Sequence, residues 1–165
     1  MPSVLFVCTA NRFRSPLAAA LFRKTIQDRG IIGNWIINSA GTWAPPGSAV
    51  IPAVSVVAHK YGVDLSRHRS VVVNEEMLSA CDLILVMEAG HKEALQNEFP
   101  ASSERIYLLA QVADGRIYDI PDLTESFESV MEICGNLYDL IQSGFDNICS
   151  LAIRLQNTSK ETNHR

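Results

Sequence analysis

The sequence predicts an α/β fold: a parallel sheet with helices on both of its faces. Two observations carry this. Four runs, SVLFVC (3–8), WIINSA (35–40), CDLILVME (81–88) and RIYLLA (105–110), are nearly continuous in apolar residues, as strands covered on both faces are. Each is separated from the next by a stretch with helix start or stop signals. At 165 residues and 47% hydrophobic, the chain is large enough for one domain with a real core, and no repeat or linker divides it.

The elements follow in order. The first strand ends at Cys8, and a helix then begins with Ser15 as the expected N-cap and Pro16 in the first helical position. Leu17, Ala20, Leu21, Lys24 and Ile26 carry it to about Arg29, where Gly30 stops it. The second strand leads into the turn-rich GTWAPPGSAV (41–50), then a helix over about 52–61 ended by Gly62. A short helix capped by Asn74 precedes the third strand, and a helix near 90–97 joins it to the fourth. A loop at 111–124 carries Asp114, Asp119, Pro121 and Asp122. One or two helices fill 125–156, with a break expected near Gly144. The domain is expected to span 1–156, with 157–165 a polar, frayed tail.

Charge and composition exclude several classes. A net charge of -4 and a pI of about 5.5 leave no basic field for nucleic acid. No apolar run reaches the roughly 18 residues of a membrane span. Cys8, Cys81, Cys134 and Cys149 form no CxxC pair and no Cys/His cluster, which argues against zinc. The amino terminus is too short and lacks the basic region of a secretory signal, so a reducing, cytoplasmic setting is expected. The sequence leaves the oligomeric state open.

In parallel α/β sheets, ligands bind beyond the carboxyl ends of the strands. Cys8 and Ser39 stand there, with the loops after Met87 and after residue 110. The loop Cys8, Thr9, Ala10, Asn11, Arg12, Phe13, Arg14, Ser15 leads straight into a helix N-terminus, whose free N–H groups and dipole favour an anion. The same field favours the Cys8 thiolate. The planar fork of Arg14 matches two oxygens of a phosphate. Nucleophile and anion cradle coincide, so attack on a bound phosphate follows. The chain has no GxxxxGK[ST] motif and this loop has no glycine, which sets nucleotide-binding loops aside. If a phosphate ester is cleaved, the leaving oxygen needs a proton. Asp119 and Asp122 in YDIPDLTE (118–125) are the candidates, with Asp122 favoured because Pro121 stiffens its loop. Asp122 would then also activate the water that hydrolyses the cysteinyl-phosphate.

CTANRFRS (8–15), followed by Pro16 and an alanine-rich helix, resembles the CX5R loop of the low-molecular-weight protein tyrosine phosphatase family. SAGTWA (39–44), GVDLSRHRS (62–70), DLILVME (82–88) and IPD (120–122) fit in order, so the resemblance spans roughly 3–141. It implies a three-layer, four-stranded, flavodoxin-like arrangement of the phosphatase I type, and hydrolysis of phosphomonoesters without metal or cofactor through a cysteinyl-phosphate. It implies Cys8 as nucleophile, Arg14 as the phosphate and transition-state ligand, and Asp122 as general acid. It further implies that Asn11 and Ser15 order the loop, that Ser15 assists the thiolate as leaving group, and that Ser39 and His68 brace Asn11. The implied substrate is a phosphorylated protein or a small aryl phosphate.

The sequence departs from the family pattern in places. Ala10 replaces a glycine, which raises a backbone question. Phe13 replaces a second cysteine, which removes a disulfide guard of the nucleophile. Arg12 stands beside the mouth in place of an aliphatic residue, which would favour acidic substrates. Leu123 follows Asp122 where the family has an aromatic sequence, so Trp43 is left as the aromatic wall, or else as a lid over apolar surface. The arginine-glutamine pair common in the family after His68 is also missing. Cys81, Cys134 and Cys149 read as packing residues, His59 and His91 as surface residues, and Asp114 as a turn. Two other functions share the fold: arsenate reduction, which needs resolving cysteines that Cys81 and Cys134 are poorly placed to supply, and a phosphate-reading module without turnover.

Overall fold

The structure is a computed structural model and describes residues 1–31 and 33–162. It has the expected alternation. Strand β1 (Ser3–Cys8) is followed by α1 (Arg14–Asp28), β2 (Ile36–Gly41), α2 (Pro52–Lys60), α3 (Glu75–Ser79), β3 (Leu83–Val86), α4 (Ala89–Glu98), a 3₁₀ turn (Pro100–Arg105), β4 (Ile106–Leu108), α5 (Leu109–Asp114) and α6 (Phe127–Thr162). The four strands form one sheet in the order β2-β1-β3-β4, and all three pairings are parallel.

The continuous apolar runs have the predicted cause. Along β1, Val4, Phe6 and Cys8 face one core, while Leu5 and Val7 face the other. Leu83 and Leu85 of β3 join the first core, and Ile84 and Val86 the second. Successive side chains alternate faces and both faces of these two strands are covered, so their inner positions are apolar; the buried Ser3 hydroxyl at the start of β1 donates to Asp82, and the edge strand β2 leaves Ile36 and Asn38 exposed. The first core is the larger and packs α1, α2, α5 and α6 against the sheet; the second is closed by α3 and α4. Phe22 anchors the first, with its ring 5.8 Å from Phe6, 5.8 Å from Trp35 and 5.2 Å from Phe145.

Four expectations are corrected. Ser15 is not the N-cap: α1 begins two residues earlier, at Arg14, Phe13 takes the cap position, and no side chain caps the helix. The Ser15 hydroxyl is held instead by the loop described below. Residues 109 and 110 do not extend β4 but open α5, and Gly115 ends that helix in the left-handed region at φ +79. Nor does Gly144 break the last helix. A Cβ there would collide with Ala113, so this glycine lets α5 and α6 approach. Finally, α6 continues to Thr162, so residues 157–162 are helical rather than frayed, while 163–165 lie outside the described residues. Residues 153–162 contain neither glycine nor proline, so nothing stops a helix already nucleated on the core.

Candidate active site

The β1–α1 loop turns at Asn11, which adopts φ 54, the only positive φ of a non-glycine residue among the described residues. Asparagine tolerates that conformation better than most residues. Its amide makes three hydrogen bonds: Nδ2 donates to Ser15 Oγ at 2.9 Å and to Ser39 Oγ at 2.9 Å, and Oδ1 accepts from the Val71 N–H at 3.0 Å. His68 Nε2 donates to the Asn11 carbonyl at 2.7 Å. Burial, its largest influence, pulls the His68 pKa below 6.5, so the ring is held neutral. Ser39 and His68 thus both hydrogen-bond to Asn11. Ala10 has no positive φ, so the glycine it replaces is not needed for a left-handed backbone here. The close approach falls on Gly41 instead, where a Cβ would strike the Thr9 carbonyl.

Cys8 Sγ lies 2.9 Å from Ser15 Oγ. Ser15 already accepts from Asn11, and its single proton has two destinations, the Ala40 carbonyl at 3.3 Å or Cys8. A Cys8 thiol donates to Ser15, which then donates to Ala40; a Cys8 thiolate accepts the Ser15 proton. The pair therefore accommodates both protonation states of sulfur without an orphaned donor.

Arg14 is 1% exposed and the largest fully buried side chain. Its Nη1 donates to Glu88 Oε2 at 2.9 Å and to the Ile120 carbonyl at 2.8 Å, and Nη2 lies 3.6 Å from Asp122 Oδ2. Its Nε is buried and has no hydrogen-bond partner among the described residues. A buried guanidinium N–H without a partner costs on the order of 1–3 kcal/mol, which an anion's oxygen would offset.

The segment after α5 reaches the same place. Ile120 N–H donates to the Met87 carbonyl at 2.9 Å, which fixes the loop at the end of β3. Asp119 Oδ1 accepts from the Ala89 N–H at 2.8 Å, at the start of α4. Asp122 is exposed and, of the two candidates, is the one paired with Arg14. Asp114 is not a turn residue but the last residue of α5, where it accepts from the Arg116 N–H and the Tyr118 hydroxyl.

At the rim, Trp43 is 85% exposed, and its N–H donates to the Thr9 carbonyl at 2.9 Å. Arg12 Nε donates to the Ala49 carbonyl at 2.8 Å, which ties its side chain to the 41–50 turn beside the mouth. Phe13 is buried in the larger core.

Sequence reasoning missed two residues. Glu88 pairs with Arg14, and His91 is not on the surface but 6% exposed, with Nε2 2.8 Å from Thr9 Oγ1. They form a reciprocal capping box at the start of α4. Glu-x-x-His directly after a strand was the available signal. The other cysteines stand apart: Cys81 precedes β3 at the opposite edge of the sheet, and Cys134 and Cys149 lie along α6. Burial pushes all three thiols up to about 11, which makes poor resolving nucleophiles.

A family model described as low molecular weight phosphotyrosine protein phosphatase matches residues 3–158. A Ralstonia nicotianae protein named "Probable low molecular weight protein-tyrosine-phosphatase EpsP" is 35% identical over 150 residues, covering 87% of this chain and 91% of its own. A protein-arginine-phosphatase of Bacillus subtilis is 32% identical over 120 residues, covering 72% and 76%. Among solved structures, the low molecular weight protein tyrosine phosphatase of T. tengcongensis superposes with a TM-score of 0.82 at 31% identity, covering 88% of this chain and 99% of that one. The arginine phosphatase YwlE, in a cysteine-to-serine mutant with a phosphorylated active-site serine, gives 0.81 at 26% identity, covering 93% and 95%.

Proposed function

The chain belongs to the low molecular weight phosphotyrosine protein phosphatase family and is a metal-independent phosphohydrolase, and from that premise we propose how its residues divide the work and what they act on. Cys8 attacks phosphorus in line, and the bond to the leaving oxygen breaks as Asp122 protonates that oxygen. The cysteinyl-phosphate is then hydrolysed by water that Asp122 deprotonates, and sulfur leaves as a thiolate that takes the Ser15 hydrogen bond. Arg14 and the first-turn N–H groups of α1 hold the equatorial oxygens throughout. The observation that carries this reading is the buried Arg14 Nε without a partner, on a residue flanked by Cys8's loop and Asp122. The pairing of Asp119 with Ala89 N–H supports Asp122 rather than Asp119 as the acid. A relative that carries its phosphate on the residue replacing an active-site cysteine supports the covalent step.

The substrate is a phosphorylated protein or a small aryl phosphate. Support comes from relatives named for tyrosine and for arginine phosphatase activity at similar identity. Trp43 offers one aromatic face, and Leu123 leaves the opposite side without one. No helix among the described residues is long and apolar enough to cross a membrane. The free cysteines fit the reducing cytoplasm.

The test is hydrolysis of para-nitrophenyl phosphate with chelator present, followed by phosphotyrosine and phosphoarginine peptides. The native chain turns over, Cys8→Ser does not, and Asp122→Ala is slowed on peptide substrates. A reduced native chain that binds vanadate without turnover would instead make this a phosphate-reading module.

A further inference from the structure

His91 is buried and hydrogen-bonded at both ring nitrogens, yet the chemistry above does not use it. The Glu88 N–H points at His91 Nδ1 at 3.2 Å, so Nδ1 is the acceptor and Nε2 carries the proton of the neutral ring. That proton faces Thr9 Oγ1 at 2.8 Å, with Glu88 Oε2 further away at 3.4 Å. Thr9 thus accepts from His91 and lies between the nucleophile and the turn at Asn11. The same capping box sends Glu88 to Arg14 at the far end of the loop. The charged groups that face the ring are Arg14 of α1, Glu88 at the start of α4, and Asp119 and Asp122 of the acid loop. Burial first and Arg14 second lower its pKa from 6.5, which favours the neutral ring, and the Glu88 N–H fixes its tautomer.

We infer that His91 is a positioning residue for the phosphohydrolase reaction: its Nε2–H, oriented by the Glu88 backbone, holds the Thr9 hydroxyl and so sets the near end of the anion cradle. This rests on the reading that residues 8–15 bind the phosphate. A merely structural histidine would affect stability alone. One that positions the loop affects anion affinity, and does so through Thr9.

The experiment measures vanadate inhibition, kcat and KM, and melting temperature for the native chain, Thr9→Val, Thr9→Ser, His91→Leu, His91→Gln and the Thr9→Val/His91→Leu double variant. Losing the bond weakens vanadate binding about tenfold and lowers kcat/KM by a similar factor. Glutamine, which can place an N–H near the Nε2 position, restores most of the loss at His91, and serine restores most of it at Thr9. The double variant is no weaker than the weaker single one, because both remove one bond. Native vanadate affinity in both His91 variants, with only the melting temperature lowered, overturns the inference. So do losses that multiply in the double variant. If His91→Leu does not fold, His91→Gln compared with the two Thr9 variants decides between the same outcomes. A native chain that neither turns over nor binds vanadate overturns the phosphatase reading itself, whereas normal native turnover with indifferent variants overturns this inference alone.

Discussion

Two segments meet at the carboxyl edge of the sheet, and they are held in opposite ways. Residues 8–15 are locked: the Asn11 amide makes three hydrogen bonds, Ser15 contacts Cys8, Asn11 and Ala40, and Arg14 is buried beneath them. Residues 115–126 arrive largely exposed. Ile120 pins them through both of its backbone groups, and Asp122 stands in solvent 3.6 Å from Arg14. Under the proposed mechanism the contrast is a division of labour. Stabilising a transition state requires donors fixed before the substrate arrives, since reorganisation would cost part of the benefit. Proton transfer requires an acid that can follow different leaving groups, and an exposed loop permits that.

This comparison can be broken by mutation. In the locked segment, Cys8→Ser abolishes steady-state turnover while leaving the fold intact, as aryl phosphate hydrolysis beside a melting curve will read; turnover within tenfold of native would remove Cys8 from the mechanism. In the exposed segment, Asp122→Ala lowers kcat on phosphopeptides by about 10²–10³, with stability unchanged within about 0.5 kcal/mol. Asp119→Ala costs less, about tenfold or under, since it loses the bond to Ala89 N–H but no proton donor. Equal losses at the two aspartates would erase the distinction drawn between them.

Asn11→Ala sharpens the contrast from the other side. It leaves the Val71 N–H without its acceptor and puts alanine at φ 54. Chemical denaturation should show a loss of about 3 kcal/mol, together with reduced activity. A variant of native stability would mean that the locked segment is not locked by Asn11.

The smallest effect is one of pH. Burial, the largest influence on both, lowers the pKa of His68 and of His91 from 6.5. The unfolded chain therefore binds more protons than the folded one between 6.5 and those lower values. Their contribution to stability is complete above 6.5 and is lost as pH falls beneath it. Melting at about pH 5 compared with about pH 7.5 should fall less for His91→Gln than for the native chain. A larger fall in the variant would reverse the sign of that argument.

The two segments also differ in how well the sequence discloses them. SVLFVC and Pro16 carry local signals, a two-faced apolar run and a helix start, so β1, the loop and α1 are legible almost to the residue. Ser15 misleads because its hydroxyl answers to Asn11 and Cys8, a demand that helix-capping rules do not contain. Glu88 and His91 open a helix of ordinary appearance, and what they brace lies some eighty residues earlier in the chain, at Thr9 and Arg14. Gly144 reads as a break because a glycine's local preference is visible in sequence, whereas the Ala113 surface pressing on it is not. The loop at 115–126 lies between: its aspartates are obvious, but what separates them, the Ala89 N–H on Asp119 and Arg14 beside Asp122, comes from elsewhere in the chain.

The central claim is that phosphoryl transfer runs through the sulfur of Cys8 in the locked loop while Asp122 of the exposed loop moves the protons. The most direct measurement is acid-quenched mass spectrometry of the Asp122→Ala chain mixed with para-nitrophenyl phosphate, followed by digestion. This leaving group departs with little help from an acid, so the first step proceeds and hydrolysis of the intermediate slows. The account predicts a burst of nitrophenol and one phosphoryl group on the peptide bearing Cys8. Turnover with no burst and no phosphorylated Cys8 peptide, at quench times shorter than one cycle, would contradict it.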